Sequence, residues 1–148
     1  MKRIGVDIGG TKTALGIIDD KNGKVLEKIV IPSKIYKNDN NNLNLIIKNI
    51  LNLSNINKIK DIGIGVPELI NNKGIIKGNY NFNWNNRNLV KYFPKNFNVI
   101  VDSDVRCHLR AEKYFGVAKK YSNFAYLNIG TGLSYAQFKD KKIYSGAK

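Results

Sequence analysis

One segment near the amino terminus restricts the possible folds of this chain more than any other. Residues 4–19 read IGVDIGGTKTALGIID, two apolar runs of strand length joined by a short glycine-rich turn. This pattern predicts a β-hairpin. Gly9 and Gly10 have no Cβ and tolerate positive φ, so we expect the backbone of the turn to approach a ligand closely.

The residues of this turn favour an anion. It offers several donors: the amides of Gly9 and Gly10, the Thr11 hydroxyl and the Lys12 ammonium. Asp7 ends the first strand, where a carboxylate would face the magnesium ion that accompanies a phosphate. The short string Asp-x-Gly-Gly fits an ordinary tight turn with a solvated Asp and Lys equally well.

Length and composition indicate a globular chain. A chain of 148 residues with 43% hydrophobic residues is expected to form one domain with a real core. The single cysteine, Cys107, excludes an internal disulfide and a cysteine-based zinc site. No apolar run approaches the roughly 20 residues of a membrane helix, and the amino terminus does not read as a signal peptide. We therefore expect a cytoplasmic protein that does not enter membranes.

The net charge of +14 raises the question of nucleic-acid binding. Lysine is spread through nearly every segment, accompanied by abundant Asn and Ile, and no dense basic run occurs. Coding bias toward these residues is the simpler explanation, so nucleic acid is not an expected partner. The charge would still attract ATP and sugar phosphates.

The order of elements predicts an α/β domain with a mixed sheet. After the hairpin we expect a third antiparallel strand over 24–31, a loop over 33–42, an amphipathic helix over 43–53 and a buried parallel strand over 60–67. A hairpin over 68–77, an Asn-rich loop over 78–87, a short helix over 88–93 and a strand over 98–101 follow. A helix over 105–115 and strands over 124–129, 133–138 and 142–144 complete the chain.

Two further segments contain candidate functional residues. The loop over 78–87 combines Asn with Tyr80, Phe82 and Trp84, which suits either polyol binding or a plain connection, and composition alone favours the connection. The cluster Asp102-Ser-Asp104 precedes a helix, where Ser103 or Asp104 could simply cap the first turn. Residues 130–132 (GTG) form a second glycine–threonine turn between strands, similar to the first.

Four segments, in order along the chain, resemble motifs of the ROK family, which groups sugar kinases with related repressors. They are residues 7–12 (DIGGTK), 63–67 (GIGVP), 102–112 (DSDVRCHLRAE) and 126–133 (YLNIGTGL). The resemblance implies a ribonuclease H-like, actin-like ATPase fold, whose sheet has three amino-terminal antiparallel strands and two parallel strands with flanking helices. It also implies ATP-dependent phosphoryl transfer to a sugar hydroxyl, as in glucokinases and hexokinases, with ATP and Mg²⁺ as cofactors.

The resemblance also implies roles for individual residues. Asp104 would be the general base, and by register Asp102 corresponds to the preceding Glu of the family, although both carboxylates compete for the assignment. The phosphate-binding residues would be Asp7, Gly9, Gly10, Thr11, Lys12, Gly130, Thr131 and Gly132, with Asp7 holding magnesium through water. The sugar-binding residues would be Glu68, Asn79, Asn81, Ser103 and Asp104.

Family members have about twice this length, and their second domain supplies further sugar ligands and the adenine pocket. The resemblance therefore implies that residues 1–148 are one amino-terminal ROK-type domain, completed by a second-lobe polypeptide or by a homo-oligomer. Ser103, Arg106 and Glu68 depart from the family pattern, which supports an alternative function as a catalytically inactive sugar- or nucleotide-binding module. The repressor branch carries an amino-terminal helix-turn-helix domain, and because the hairpin begins at residue 4 we do not expect that function.

Overall fold

The computed structural model describes residues 1–130 and 132–144, and these form two β-sheets with helices packed against them. The strands are β1 (Lys2–Ile8), β2 (Lys12–Asp19), β3 (Val25–Pro32), β4 (Asp61–Val66), β5 (Asn98–Ser103), β6 (Phe124–Ile129), β7 (Leu133–Lys139) and β8 (Lys142–Tyr144). The α-helices are α1 (Asp39–Asn57) and α2 (Asp104–Tyr114), and 3₁₀ helices span Leu89–Tyr92 and Val117–Lys120. Within these described ranges, no helix is long and apolar enough to cross a bilayer.

The larger sheet has five strands in the order β3-β2-β1-β4-β5. β1, β2 and β3 form an antiparallel meander, whereas β1, β4 and β5 run parallel to one another. Parallel neighbours need a long crossover, and the chain between β1 and β4 provides one because it contains α1. The predicted mixed sheet is thus confirmed.

One apolar face of α1 forms the main core with this sheet. Leu43, Ile46 and Ile50 are fully buried at helical spacing and belong to the same cluster as Ile4 and Ile64 of the strands. Burying side chains of this size stabilises the fold by roughly 1.5–3 kcal/mol each. The helix that the sequence predicts is therefore present, and its predicted role of covering the sheet is confirmed.

The boundaries of α1 differ from the prediction. The helix begins at Asp39, inside the segment expected to be a loop, because the Asn38 side chain accepts a hydrogen bond from the Asn40 amide and caps the first turn. It ends at Asn57, and Lys58 then takes a left-handed conformation with φ 55°. The apolar periodicity marked only the buried middle of the helix.

The smaller sheet has three antiparallel strands in the order β6-β7-β8. Helix α2 packs against it, and Leu109 is fully buried in one cluster with Ala136 and Phe138. The sequence pattern predicted these strands but gave no sign that they form a separate sheet. Among the described strands, β1 has a neighbour on each side in the larger sheet, whereas β6 lies at an edge of the smaller sheet.

Candidate functional site

Most of the predicted site residues of the first three motifs lie at the carboxyl ends of β1, β4 and β5. The register aligns Asp7 of β1 with Gly65 of β4, and Gly65 with Asp102 of β5. Because the three strands are parallel, the segments that follow them meet at one edge of the sheet. This edge is where α/β proteins usually bind ligands.

The first glycine turn is closed and anchored by backbone hydrogen bonds. The Gly9 amide donates to the Lys12 carbonyl at 2.9 Å, and the Thr11 carbonyl accepts from the Ser33 amide at 2.8 Å. Beneath the turn, the buried hydroxyls of Thr13 and Ser33 are 2.7 Å apart. The turn is therefore held between β2 and the end of β3, while Thr11 and Lys12 remain exposed.

In this turn, glycine is needed because other atoms lie close to the Cα atoms of Gly9 and Gly10, and not because the backbone has positive φ. Among the described glycines, only Gly23 and Gly74 have φ in the left-handed region, so Gly9 and Gly10 do not use the positive φ that glycine tolerates. A Cβ on Gly9 would lie 2.9 Å from the Lys12 carbonyl oxygen, and one on Gly10 would lie 2.9 Å from Oδ1 of Asn81. Backbone therefore excludes a side chain at Gly9, whereas a side chain at Gly10 would have to displace the Asn81 amide.

The loop over 79–82 is fixed at the same edge by Glu68. This buried carboxylate accepts hydrogen bonds from the amides of Tyr80 at 2.9 Å, Asn81 at 2.6 Å and Phe82 at 3.1 Å. The Asn81 side chain donates to the Pro67 carbonyl at 2.8 Å and lies against Gly10. Glu68 thus positions the loop, and its predicted contact with a sugar stays a prediction.

The two candidate asparagines of this loop differ in their surroundings. Asn81 is half-buried between Pro67 and the first glycine turn, whereas Asn79 is exposed. The residue preceding Asn79, Gly78, is buried, and a Cβ there would lie 2.6 Å from a Glu68 oxygen. The structure therefore brings Asn81, and not Asn79, against the turn.

The aromatic residues of the same loop belong mainly to the core. The rings of Phe82 and Trp84 stack at 4.1 Å and are 1% and 0% exposed. The Trp84 indole N–H donates to the Asp39 carbonyl at 3.2 Å, which joins the loop to the start of α1. Because they are buried, these two rings cannot stack on a polyol, which agrees with the interpretation of the loop as a plain connection. Of the three aromatic residues, Tyr80 alone is exposed.

The two carboxylates that compete for the role of base have different partners. Asp102 is nearly buried and forms ion pairs with Arg106 at 3.2 Å and Arg110 at 2.5 Å. The two guanidinium groups neutralise this carboxylate and occupy its oxygens. Neither pair was predicted from the sequence, although the i,i+4 spacing of Asp102 and Arg106 could have revealed the first.

Asp104 begins α2 and is half-buried. Its Oδ1 accepts the Val105 amide at 2.7 Å. Burial raises the pKa of the Asp104 carboxyl, the negative charge of Asp7 acts in the same direction, and the Val105 amide and His108 oppose the shift. A carboxylate with a raised pKa is a stronger proton acceptor, and such shifts concentrate at functional sites.

Cys107 is a packing residue. Burial raises the pKa of its thiol to about 11, so it carries almost no thiolate at neutral pH. A Cβ on Gly65 would lie 3.5 Å from its sulfur, which places Cys107 over β4. In residues 1–130 and 132–144, no group of three His, Cys, Asp or Glu side chains could hold a metal ion. Mg²⁺ bound with nucleotide phosphates does not require such a group, because it keeps several waters and uses one or two carboxylates.

The second glycine turn joins β6 and β7. The Gly130 amide donates to the Gly132 carbonyl at 3.0 Å, and a Cβ on either residue would meet no atom of the described residues within 4 Å. With respect to the described part of the chain, this turn is therefore open, unlike the first. Thr131 lies outside the described residues, so its predicted role stays a prediction.

The smaller sheet has a continuous apolar outer face. Leu127 pairs with Tyr135, and Ile129 pairs with Leu133, so the four side chains are neighbours across β6 and β7. Ile129 is 82% exposed and Leu133 is 71% exposed. Contiguous apolar surface of this kind marks interaction sites.

Comparison of the sequence with known proteins identifies relatives of this chain. Residues 3–148 match the ROK family. The chain is 29% identical over 137 residues to the glucokinase of Thermotoga maritima, covering 90% of this chain and 43% of that protein. It is 35% identical over 92 residues to the xylose repressor of Caldicellulosiruptor bescii, covering 60% of this chain and 23% of the repressor. The chain therefore spans less than half of either relative.

The fold is shared with solved structures. A ROK family glucokinase from Streptomyces griseus, crystallised with glucose and AMPPNP, superimposes with a TM-score of 0.86 at 23% identity. The superposition covers 99% of this chain and 47% of the glucokinase. The family match over residues 3–148 and the shared fold lead to one conclusion: this chain belongs to the ROK family.

Proposed function

We propose that this chain is the amino-terminal half of an ATP-dependent sugar kinase, which transfers a phosphoryl group to a sugar hydroxyl. The proposal rests on one observation: Asp104, a half-buried carboxylate with a raised pKa, lies within electrostatic range of Asp7 at the carboxyl edge of the sheet. The first glycine turn directly follows Asp7. A relative named glucokinase and a homologous structure with glucose and AMPPNP support the choice of reaction.

In the proposed reaction, Asp104 accepts the proton of the sugar hydroxyl. The sugar oxygen forms a bond to the γ-phosphorus, the bond from that phosphorus to the bridging oxygen breaks, and ADP leaves. General base catalysis of this kind contributes roughly 10²–10⁴-fold in rate. Asp102 does not compete for this role, because Arg106 and Arg110 already hold its oxygens.

The two glycine turns are proposed to bind the phosphates. The amides of Gly10 and Thr11 and those of Thr131 and Gly132 donate to phosphate oxygens, the Gly130 amide being used to close its own turn, and Lys12 adds a positive charge. An exposed carboxylate beside the first glycine turn fits a hydrated magnesium ion, so Asp7 would hold Mg²⁺ through water. When bound, Mg²⁺ neutralises part of the phosphate charge.

Asn81 and Ser103 are proposed to orient the sugar. Asn81 is placed by its bond to the Pro67 carbonyl, and Ser103 precedes Asp104 at the start of α2 without using its hydroxyl as a helix cap. Asn79 and Glu68 remain further candidates, with Glu68 acting through the loop that it holds. A side chain fixed by a hydrogen bond binds a ligand at a lower entropic cost.

Turnover is proposed to require a second lobe. The chain spans 43% of the Thermotoga maritima glucokinase, and the apolar outer face of β6 and β7 is suited to further polypeptide. That polypeptide could be a continuation of this chain, a separate protein or a second copy. One observation favours the alternative of a non-catalytic binding module: Arg106, which departs from the family pattern, is committed to Asp102 and the Ile70 carbonyl.

A coupled assay of ADP release with ATP, Mg²⁺ and a panel of hexoses tests the proposal. The chain is assayed alone and with the carboxyl-terminal half of the Thermotoga maritima glucokinase. We expect turnover in the mixture, and we expect Asp104→Asn to reduce kcat by about 10²–10⁴-fold.

The control is Asp61→Asn, at the opposite end of β4, which should retain the wild-type rate. Sugar or nucleotide binding measured by calorimetry, with no turnover under any condition, would favour the binding module instead. Turnover that survives Asp104→Asn would remove Asp104 as the base.

A further inference from the structure

A surface cavity of about 340 Å³ lies between the two sheets, beside helix α2. Among the described residues that line it are Ile100 of β5, Ile143 of β8, and Arg106 and Arg110 of α2. Ligand sites for small molecules usually have volumes of roughly 300–1,000 Å³, so the cavity is large enough for a small organic molecule. No residue of the proposed kinase site is among its described lining residues.

The charges at this cavity do not balance. Its charged residues, within the described part of the chain, are Asp102, Arg106 and Arg110. Both guanidinium groups are paired with the same carboxylate, at 3.2 Å from Arg106 and 2.5 Å from Arg110. One carboxylate compensates one guanidinium, so the cluster keeps one positive charge. A positive charge in a concave site attracts anions.

Arg110 is the cation with donors to spare. Its side chain is 42% exposed, and among the described residues its ion-pair partner is Asp102, which it reaches through Nη2. Arg106 is more enclosed and also donates to the Ile70 carbonyl at 3.1 Å. A guanidinium has five N–H donors in a planar fork that matches a carboxylate or a phosphate. A single ion pair leaves most of the donors of Arg110 for a ligand.

The surface beside this cation is apolar. Ile100 is 63% exposed on β5, and Ile143 of β8 is half-buried. Both line the cavity together with the buried Ile70. Removing such surface from water is favourable, and an inorganic anion would leave it uncovered. The lining therefore suits an anion that carries an apolar body.

The cavity is on a different side of α2 from the proposed base. Arg106 and Arg110 are four positions apart and share one face of the helix. Successive helical residues are about 100° apart, so Asp104, two positions before Arg106, points to the other side. A ligand in this cavity would not occupy the edge of the sheet where the phosphates and the sugar are proposed to bind.

We propose that this cavity is a binding site for a small organic carboxylate, whose anionic group contacts the Arg110 guanidinium and whose apolar body covers Ile100 and Ile143. The site goes beyond the proposed kinase function and does not depend on it.

Calorimetry with three simple compounds tests the chemistry of the site. 4-Methylpentanoate has both the charge and an apolar body, 4-methylpentanamide keeps the body without the charge, and acetate keeps the charge without the body. In about 0.1 M salt, which screens the general attraction of a chain of net charge +14, we expect saturable binding of 4-methylpentanoate. The amide and acetate should each bind at least about tenfold more weakly. Equal affinity for either of them, or no saturable binding of 4-methylpentanoate, would overturn the proposal.

A variant and a matched control identify the cation. Arg110→Gln should weaken the binding of 4-methylpentanoate by at least about tenfold, while Arg106 keeps Asp102 paired. Arg3→Gln is the control, because Arg3 is 50% exposed and is also paired with one aspartate, Asp20, but lies on β1 outside the cavity lining. It should change the affinity by less than about twofold. Equal losses in the two variants would show general attraction to a basic protein and would overturn the site.

NMR of the wild-type protein gives a second readout that does not require a variant to fold. During a titration with 4-methylpentanoate, the largest changes in amide chemical shift should occur at Gly74, Ile100 and Ile143, which line the cavity. Largest changes at Gly10 and Thr11 would place the carboxylate at the first glycine turn and would overturn the assignment.

Discussion

Single residues show how neighbours give different properties to identical side chains. Asp102 and Asp104 lie two positions apart, yet Asp102 is held by two arginines and Asp104 is paired with none of them. The i,i+4 spacing of Asp102, at the end of β5, and Arg106, in the first turn of α2, made this pair foreseeable. The sequence could not show which of the two carboxyls has a raised pKa. The shift of Asp104 depends on burial and on Asp7, which is about a hundred positions away in the chain.

The raised pKa of Asp104 has a consequence for stability. Between the ordinary value of 3.8 and the raised folded value, the folded protein binds more protons than the unfolded chain. Stability contributed by this group therefore falls as the pH rises through that interval. We expect Asp104→Asn, which removes the charge, to be more stable relative to wild type at pH 7 than at pH 3.

Urea unfolding of both proteins at the two pH values measures this difference. The variant can still accept the Val105 amide, so the helix start is preserved. A difference between variant and wild type that does not change with pH, or one that shrinks toward pH 7, would contradict the effect.

At the scale of elements, the segments with regular periodicity were predictable and the irregular ones were not. The hairpin of β1 and β2, the helix α1 and the parallel strands follow from apolar patterns that local chain geometry imposes. The predicted start of α1 was wrong because the cap by Asn38 depends on one hydrogen bond between polar groups, which a pattern of apolar residues does not show. The conformation of the loop over 79–82 could not be predicted, because Glu68, which accepts its backbone amides, lies 12 residues before the first of them.

Glu68→Ala tests the role of that carboxylate. The substitution removes the acceptor of three amides, and a buried unsatisfied donor costs about 1–3 kcal/mol. We expect a loss of at least about 2 kcal/mol in the free energy of unfolding, together with faster hydrogen exchange at Asn81 and Phe82.

The matched control is Glu27→Ala on the exposed strand β3, which should change stability by less than about 0.5 kcal/mol. Unfolding in urea and amide exchange by NMR provide the two readouts. An equal loss in both variants would assign the effect to the change of composition and not to the loop.

At the scale of the whole molecule, two meanders with glycine turns are joined through α2. The resemblance to the ROK family made the fold predictable, and the structure confirms it, since the chain superimposes on a family member with a TM-score of 0.86. The separation into two sheets was not predictable from periodicity, because strands of one sheet or of two have the same alternation. Only the pairing partners distinguish them.

The attachment of the smaller sheet can be tested at Leu109. This side chain is fully buried against Ala136 and Phe138, so Leu109→Ala should cost about 2–5 kcal/mol. We expect hydrogen exchange to accelerate most in β6, β7 and β8, since α2 is the helix that packs on them.

Ile129→Lys, on the exposed face of the same sheet, is the companion variant. It should change stability by less than about 0.5 kcal/mol, and it should weaken any self-association that sedimentation detects in the wild type. Uniform exchange in the Leu109 variant, or marked destabilisation in the lysine variant, would show that the sheet is supported differently.

The edge position of β6 has a consequence for ligand affinity. Among the described strands, the first glycine turn follows β1, which has a neighbour on each side, whereas the second follows β6, which is paired on one side. A ligand that bridges both turns must fix the second against the first, and the entropy lost in doing so is subtracted from its binding free energy. A polypeptide that pairs with β6 would order the second turn before the ligand binds. Less entropy would then be lost on binding, so nucleotide affinity should rise when that edge is occupied.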